Sequence, residues 1–186
     1  MQALDLLLNR VSVARLHAPA PDAAQRELLF RAALRAPDHG QLRPWRFLCV
    51  EGEGRAQLGE LFAAALLAGN PDAKPEALSK ARGMPQRAPL LVVAIAHLHD
   101  HFKVPAEEQL LAAACAAHGI VLAAHAQGLG AIWRTGDLAY DAHVMAGLGL
   151  ADNERIVGFI YLGQVEGERR QPLPLATADF VSDWPR

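Results

Sequence analysis

At residues 36–47 the chain reads Ala36-Pro37-Asp38-His39-Gly40-Gln41-Leu42-Arg43-Pro44-Trp45-Arg46-Phe47, between a helical segment and an apolar, strand-like run that ends at Val50. Two prolines, one glycine and several ionic or hydrogen-bonding side chains predict an ordered loop rather than core. Loops held between rigid elements often carry binding groups. The loop alone does not indicate a function, but it does so together with two further segments, Arg10-Val11-Ser12 and Gly130-Ala131-Ile132-Trp133-Arg134-Thr135-Gly136.

The composition is that of one soluble, globular domain. The chain has 186 residues, and its hydrophobic fraction of 52% against a charged fraction of 20% excludes a disordered protein. A length of this order fits a single domain over residues 1–186 with a substantial core. The formal net charge of −2 gives no general affinity for nucleic acid or an anionic membrane.

Several features predict a cytoplasmic location. Cys49 and Cys115 lie in apolar runs, which predicts two buried thiols in a reducing compartment. Asp5 interrupts the first apolar run and no basic region precedes it, so the N-terminus does not resemble a signal peptide. The longest apolar stretch contains His118 and His125, which favours a buried helix over a membrane span.

The apolar periodicity predicts alternating helices and strands and no internal repeat. Helices are predicted over residues 3–9, 22–35, 54–68, 72–82, 105–127 and 142–147, with Asp22 as an N-cap, and strands over 46–50, 90–96, 131–133 and 155–162. The run from Leu90 to Ala96 is continuously apolar, as in a strand covered on both faces. The helix over 105–127 is apolar nearly all round, so we expect part of it to be buried in a dimer interface.

Taken together, the segments resemble the flavin-dependent nitroreductase family, and within it the small NAD(P)H nitroreductases of the YdjA type. The resemblance covers nearly the whole chain, and the segments that carry it are Ala3 to Arg10, the Ala-Pro-Asp-His loop with Pro44-Trp45, Glu51 to Arg55, Lys103-Val104-Pro105, Ala126-Gln127-Gly128, Trp133-Arg134 and Ile156 to Gly163. It implies an α+β fold, a nitroreductase-like sandwich with a central mixed β-sheet flanked by helices. It also implies an intertwined homodimer in which a C-terminal tail of about residues 165–186 packs on the dimer.

The resemblance implies FMN as the cofactor, with NADH or NADPH as the reductant. The positions that match flavin contacts of the family are Arg10, Ser12, Arg35, His39, Gln41, Trp133, Arg134 and Thr135. Arg10 would serve the phosphate or the polar ring edge, and the Trp133 segment would pass along the ring. Pro44 could line the pocket, and Arg169 and Arg170 could reach the phosphate, whereas Val11 replaces a residue that is commonly basic in the family. No catalytic side chain is implied, because the chemistry belongs to the flavin N5 atom.

The resemblance also associates the end of one helix with NAD(P) binding. The residues concerned are Ala123, Ala124, His125, Ala126, Gln127 and Gly128. The alternative explanation for the same residues is a buried, alanine-rich helix end.

The predicted function is ping-pong electron transfer from NAD(P)H to a nitroaromatic, a quinone or a similar electron-poor small molecule. One alternative is another redox reaction on the same scaffold, namely dehalogenation, flavin fragmentation or dehydrogenation. Another is a non-catalytic protein that binds a flavin, or a metal through His97, His99 and His101, although a solvated strand end explains these histidines without a metal.

Overall fold

Two long strands, β3 (Leu90–His97) and β5 (Glu154–Val165), form the centre of the sheet in the computed structural model, which describes residues 2–185. Within these residues the sheet has five strands. β2 (Trp45–Glu51) pairs with β3, while β4 (Gly130–Arg134) and the short β1 (Leu16–His17) both pair with β5.

The fold class is confirmed, but the mixed sheet is corrected in one respect. All the strand pairs described within this chain are antiparallel, including β3 with β5, where Val92 lies opposite Ile160. A continuously apolar strand such as β3 indicates only that both faces of the sheet are covered, and an antiparallel sheet between two layers of helices meets that condition as well as a parallel one.

Helices cover both faces of the sheet. They are α1 (Ala3–Asn9), α2 (Ala23–Ala33), α3 (Glu53–Gly69), α4 (Pro75–Gly83), α5 (Ala106–Ala126) and α6 (Ala142–Gly147). Side chains alternate along β3, so that Val92 and Ala94 pack with α2 and α5, whereas Leu91 and Val93 pack with α3, α4 and α6. Asp22 caps α2 as expected, since its carboxylate accepts a hydrogen bond from the Gln25 N–H at 2.8 Å.

The prediction of buried thiols is wrong for both cysteines. Cys49 and Cys115 are exposed in the chain as described. Apolar neighbours in sequence do not decide which face of an element a side chain occupies, and Cys115 lies one turn after Leu111, which is 64% exposed, on the outer face of α5. That same helix is long and apolar enough to cross a membrane, with a mean hydropathy of 1.5, but half of the window is buried in the fold, as in a core helix.

A buried carboxylate joins the ends of three strands. Glu154 is only 4% exposed, and its side chain accepts hydrogen bonds from Arg46 Nη2 at 2.6 Å and from the Ala151 N–H at 3.0 Å. His97 Nδ1 lies 3.0 Å from Glu154 Oε1. The hydrogen bond from Arg46 is the main reason that the pKa of Glu154 falls to about 2, so the carboxylate is ionised at neutral pH.

Candidate functional site

The segment Arg10-Val11-Ser12 lies beside the edge strand β4. The Val13 N–H donates a hydrogen bond to the Ala131 carbonyl at 2.9 Å, on the side of β4 away from β5. Gly130 permits this close approach, because a Cβ there would overlap the side chain of Leu16. Ser12 is exposed and Arg10 is partly buried at this end of β4.

A basic cluster lies at the same end of the strand. Arg169 Nη2 donates to the Gly128 carbonyl at 2.6 Å, and its Nη1 lies 3.4 Å from His125 Nδ1. Burial, followed by the charges of Arg169 and Arg10, lowers the pKa of His125. Burial and Arg10 likewise lower the pKa of His118. The cluster, defined as Arg10, His118, His125 and Arg169, therefore presents two guanidinium charges beside two histidines that favour the neutral form. Arg170 is exposed.

At the other end of β4, Trp133 is fixed against the sheet and the chain then opens onto a cavity. The Trp133 indole N–H donates to the Val157 carbonyl at 3.3 Å, and its ring occupies the space that a side chain at Gly158 would fill. Arg134, Thr135 and Gly136 line a cavity of about 320 Å³. The four residue steps from Gly130 to Arg134 extend over about 13 Å.

The loop of residues 38–44 has an unusual backbone. Gln41 and Arg43 adopt positive φ angles of 54° and 50°, and Gly40 has a φ of 74°. The Asp38 carboxylate accepts a hydrogen bond from the Arg43 N–H at 2.7 Å, which holds the turn closed. His39 Nδ1 lies 2.6 Å from Glu108 Oε2, so the loop rests on the N-terminal end of α5.

The predicted flavin contacts therefore fall into two groups within one chain. The first group follows β4. Arg10 and Ser12 lie near the C-terminal end of α5, whereas the Trp133–Thr135 segment lies at the far end of the strand, where Trp133 lines a cavity with Glu107 and Leu110. Arg35 and Gln41 line a separate cavity of about 350 Å³, and His39 lies with them at the opposite end of α5. The 17 residue steps from Glu108 to His125 correspond to about 25 Å of helix.

The segment matched to NAD(P) forms the end of α5 and the following turn. Ala124 and His125 are buried, whereas Ala126 and Gly128 are exposed. Its exposed part is therefore the turn that Arg169 contacts through the carbonyl of Gly128.

Of the three histidines near the end of β3, His97 and His99 lie close together, with ring centroids 4.8 Å apart, whereas His101 is bound to its own loop. His97 contacts Glu154, while His101 Nδ1 accepts hydrogen bonds from the Lys103 and Val104 N–H groups. Within residues 2–185, no three His, Cys, Asp or Glu side chains are arranged to hold a metal ion.

Two residues of the cavity next to Thr135 were missed from the sequence. Arg87 and the buried Tyr161 line it together with Arg134. Arg87 is the last residue of a short helical turn and matches no motif, and Tyr161 is a strand residue whose direction depends on the register of β5. The only available signal was that Arg87 lies three residues before the first residue of the buried strand β3.

Comparisons with known proteins agree with this architecture. The Nitroreductase family model matches residues 7–164. "Putative NAD(P)H nitroreductase YdjA" of Escherichia coli (strain K12) is 43% identical over 163 residues, 88% of each chain. "Putative NAD(P)H nitroreductase" of Haemophilus influenzae is 38% identical over 98% of this chain and 99% of that one.

Solved structures share the fold. A nitroreductase-like family protein from Bacillus cereus superposes with a TM-score of 0.85 at 22% identity, covering 100% of this chain and 97% of that one. A variant of the FMN and NADPH-dependent nitroreductase NfnB from Sphigopyxis sp. strain HMH superposes with a TM-score of 0.78 at 22% identity, covering 100% and 99%. With a family match over most of its length and relatives of this similarity, the chain belongs to the nitroreductase family.

Proposed function

We propose that this protein is a cytoplasmic, homodimeric, FMN-dependent oxidoreductase that transfers electrons from NADH or NADPH to a nitroaromatic, a quinone or a similar electron-poor acceptor by a ping-pong mechanism. Membership of the nitroreductase family makes the chain an oxidoreductase. The observation that carries the proposal is the edge strand β4, which has a basic cluster at one end and an open cavity at the other.

The basic cluster fits the FMN phosphate. A phosphate dianion prefers arginine side chains, hydroxyl groups and backbone N–H groups, and Arg10, Arg169 and the exposed Ser12 supply the first two. Because both histidines favour the neutral form, the anion would be held mainly by the guanidinium groups. Val11 can contribute only its main chain.

The far end of β4 fits the ring. The length of β4, about 13 Å, is of the order needed to carry an extended ribityl chain from the phosphate to the isoalloxazine. Trp133 is tied to Val157 and so holds the main chain of Arg134 and Thr135 in place beside the ring. When bound, FMN supplies hydride transfer at N5, and the protein supplies position and electrostatics.

The second group of flavin contacts favours a shared site between two chains. Leu111, Cys115 and His118 form an exposed stripe along the middle of α5, and exposed apolar side chains of this kind mark an interaction surface. Two α5 helices packed antiparallel about this stripe would bring His39 of the partner subunit to the basic end of α5. Each flavin would then contact both subunits.

The exposed tail is consistent with the same assembly. Beyond Arg169 the chain presents several large apolar side chains to solvent, and Trp184 is 94% exposed. A second subunit would provide apolar surface for this tail.

The test is the visible spectrum of the purified protein after FMN is added and the excess removed, followed by anaerobic addition of NADH or NADPH. We expect about one FMN per chain and loss of the oxidised flavin spectrum on reduction. Arg10→Gln with Arg169→Gln should lose FMN, whereas the control Arg82→Gln, an exposed arginine paired with Glu60 of α3, should keep it. Failure of the wild-type protein to retain FMN would contradict the proposal.

A further inference from the structure

The 320 Å³ cavity at the end of β4 has an aromatic lining. Its volume lies at the lower end of the range for ligand pockets, about 300 to 1,000 Å³. Phe62 and Phe159 are buried in its wall and meet edge to face, with ring centroids 5.3 Å apart, and Met84 adds an adaptable apolar surface. A cavity of this size with aromatic walls can accommodate one planar aromatic ring.

The same small cavity is lined by three titratable side chains, Arg87, Arg134 and Tyr161, and by the hydroxyl-bearing Thr135. Neither guanidinium group forms an ion pair within residues 2–185. Tyr161 is only 4% exposed, and it lines the cavity together with both arginines. Burial raises the pKa of Tyr161, and both arginines act on it in the opposite sense, which places them near the phenol.

We propose that Arg87, Arg134 and Tyr161 bind the anionic group of the electron acceptor, so that the preferred acceptors are planar aromatic or quinonoid compounds that carry a carboxylate. This inference rests on the proposed function, because it requires the flavin to lie beside Arg134 and Thr135. A guanidinium pairs with a carboxylate through two parallel hydrogen bonds, and a phenol O–H can donate a third. A neutral acceptor would leave both guanidinium groups without a counter-ion.

A second cavity adjoins this one. It has a volume of about 570 Å³ and shares Met84, Thr135, Gly136 and Leu138 with the 320 Å³ cavity. Lys80 and the carboxylates of Asp137 and Asp141 line it, whereas the titratable side chains that line the smaller cavity are two arginines and a tyrosine. Positive charge is therefore concentrated in the smaller cavity, which would orient an anionic acceptor with its charged end there.

The test is a titration of the FMN-loaded protein with benzoate and with the neutral isostere benzamide, followed through the flavin absorption spectrum. We expect benzoate to bind at least tenfold more tightly than benzamide. Arg87→Gln and Tyr161→Phe should each weaken benzoate by about 10- to 100-fold and leave benzamide unchanged. Arg82→Gln is the matched control, because Arg82 is exposed and pairs with Glu60 outside the cavity.

A steady-state comparison uses the same variants. KM for 4-nitrobenzoate should rise in Arg87→Gln, whereas KM for nitrobenzene should not. The proposal is overturned if benzoate and benzamide bind equally well. It is also overturned if Arg87→Gln changes FMN affinity and the flavin midpoint potential without changing the benzoate preference, because the arginines would then serve the flavin. If the wild-type protein retains no FMN, the titration cannot be performed. That result contradicts the proposed function and is distinct from a failure of the carboxylate site.

Discussion

A shared flavin site can be tested by combining two defective subunits. In the phosphate-end variant, Arg10→Gln and Arg169→Gln remove the charges near the C-terminal end of α5. In the loop variant, Arg35→Gln and His39→Gln remove the polar groups near its N-terminal end. The two groups of residues are separated by about 25 Å along one α5, so a flavin shared between chains would use the first group from one subunit and the second from its partner.

The expected magnitude follows from counting intact sites. Each charge-assisted hydrogen bond that is removed should weaken FMN by about tenfold or more, so each homodimeric variant should lose its cofactor. A heterodimer of the two variants has one site with both defects and one site with neither. It should therefore retain about one FMN per dimer, half of the wild-type amount.

The assay is co-expression of the two variants with different affinity tags, purification of the heterodimer through both tags, and measurement of FMN per chain by absorption. A heterodimer assembled from two wild-type chains provides the reference. If the whole site belonged to a single chain, each site of the mixed dimer would carry one defect, and no flavin would be retained. That result would refute the shared site.

Three further outcomes are expected. Glu154→Gln should lower the free energy of unfolding by about 3 kcal/mol at pH 7. Because the folded-state pKa of Glu154 is depressed to about 2, its contribution is fully present above the unfolded value of 4.5 and is lost as pH falls towards 2, so urea unfolding of the wild type and the variant should converge in acid. Leu111→Asp should yield monomers in sedimentation experiments, while Leu67→Asp, a comparably accessible position on α3, should not. Gly158→Ala should displace Trp133, cost about 1 to 3 kcal/mol and change the tryptophan fluorescence, whereas a neutral result would mean that the ring is not held there.

The elements that the sequence predicted correctly are those with a local signature. Asp22 and Gln25 supply a capping box that sets the start of α2, and α6 spans Ala142–Gly147 as predicted. β1 was missed because its two residues carry no periodic pattern and pair with the distant end of β5. The exposure of Cys115 also depended on packing, since an alanine-rich helix leaves the buried face ambiguous.

The candidate site was predictable only as a set of residues. The order of the segments along the chain does not reveal that the loop at His39 and the segment at Arg10 lie at opposite ends of α5. That separation follows from the contact of His39 with Glu108 and from the contact of Arg169 with His125. Arg87 and Tyr161 were missed for a related reason, because the sheet register and a turn bring them together.

The backbone of the loop at residues 38–44 has a consequence for how this scaffold can diversify. Its shape is specified by left-handed main-chain conformations and by the Asp38 hydrogen bond to Arg43, rather than by the side chain of His39. Position 41 is thereby restricted, because a φ of 54° is tolerated by glycine, asparagine and few others, and excludes β-branched residues. Position 39 is not restricted in this way. Its residue could therefore be substituted during evolution, which would alter ligand selectivity while the loop backbone kept its conformation.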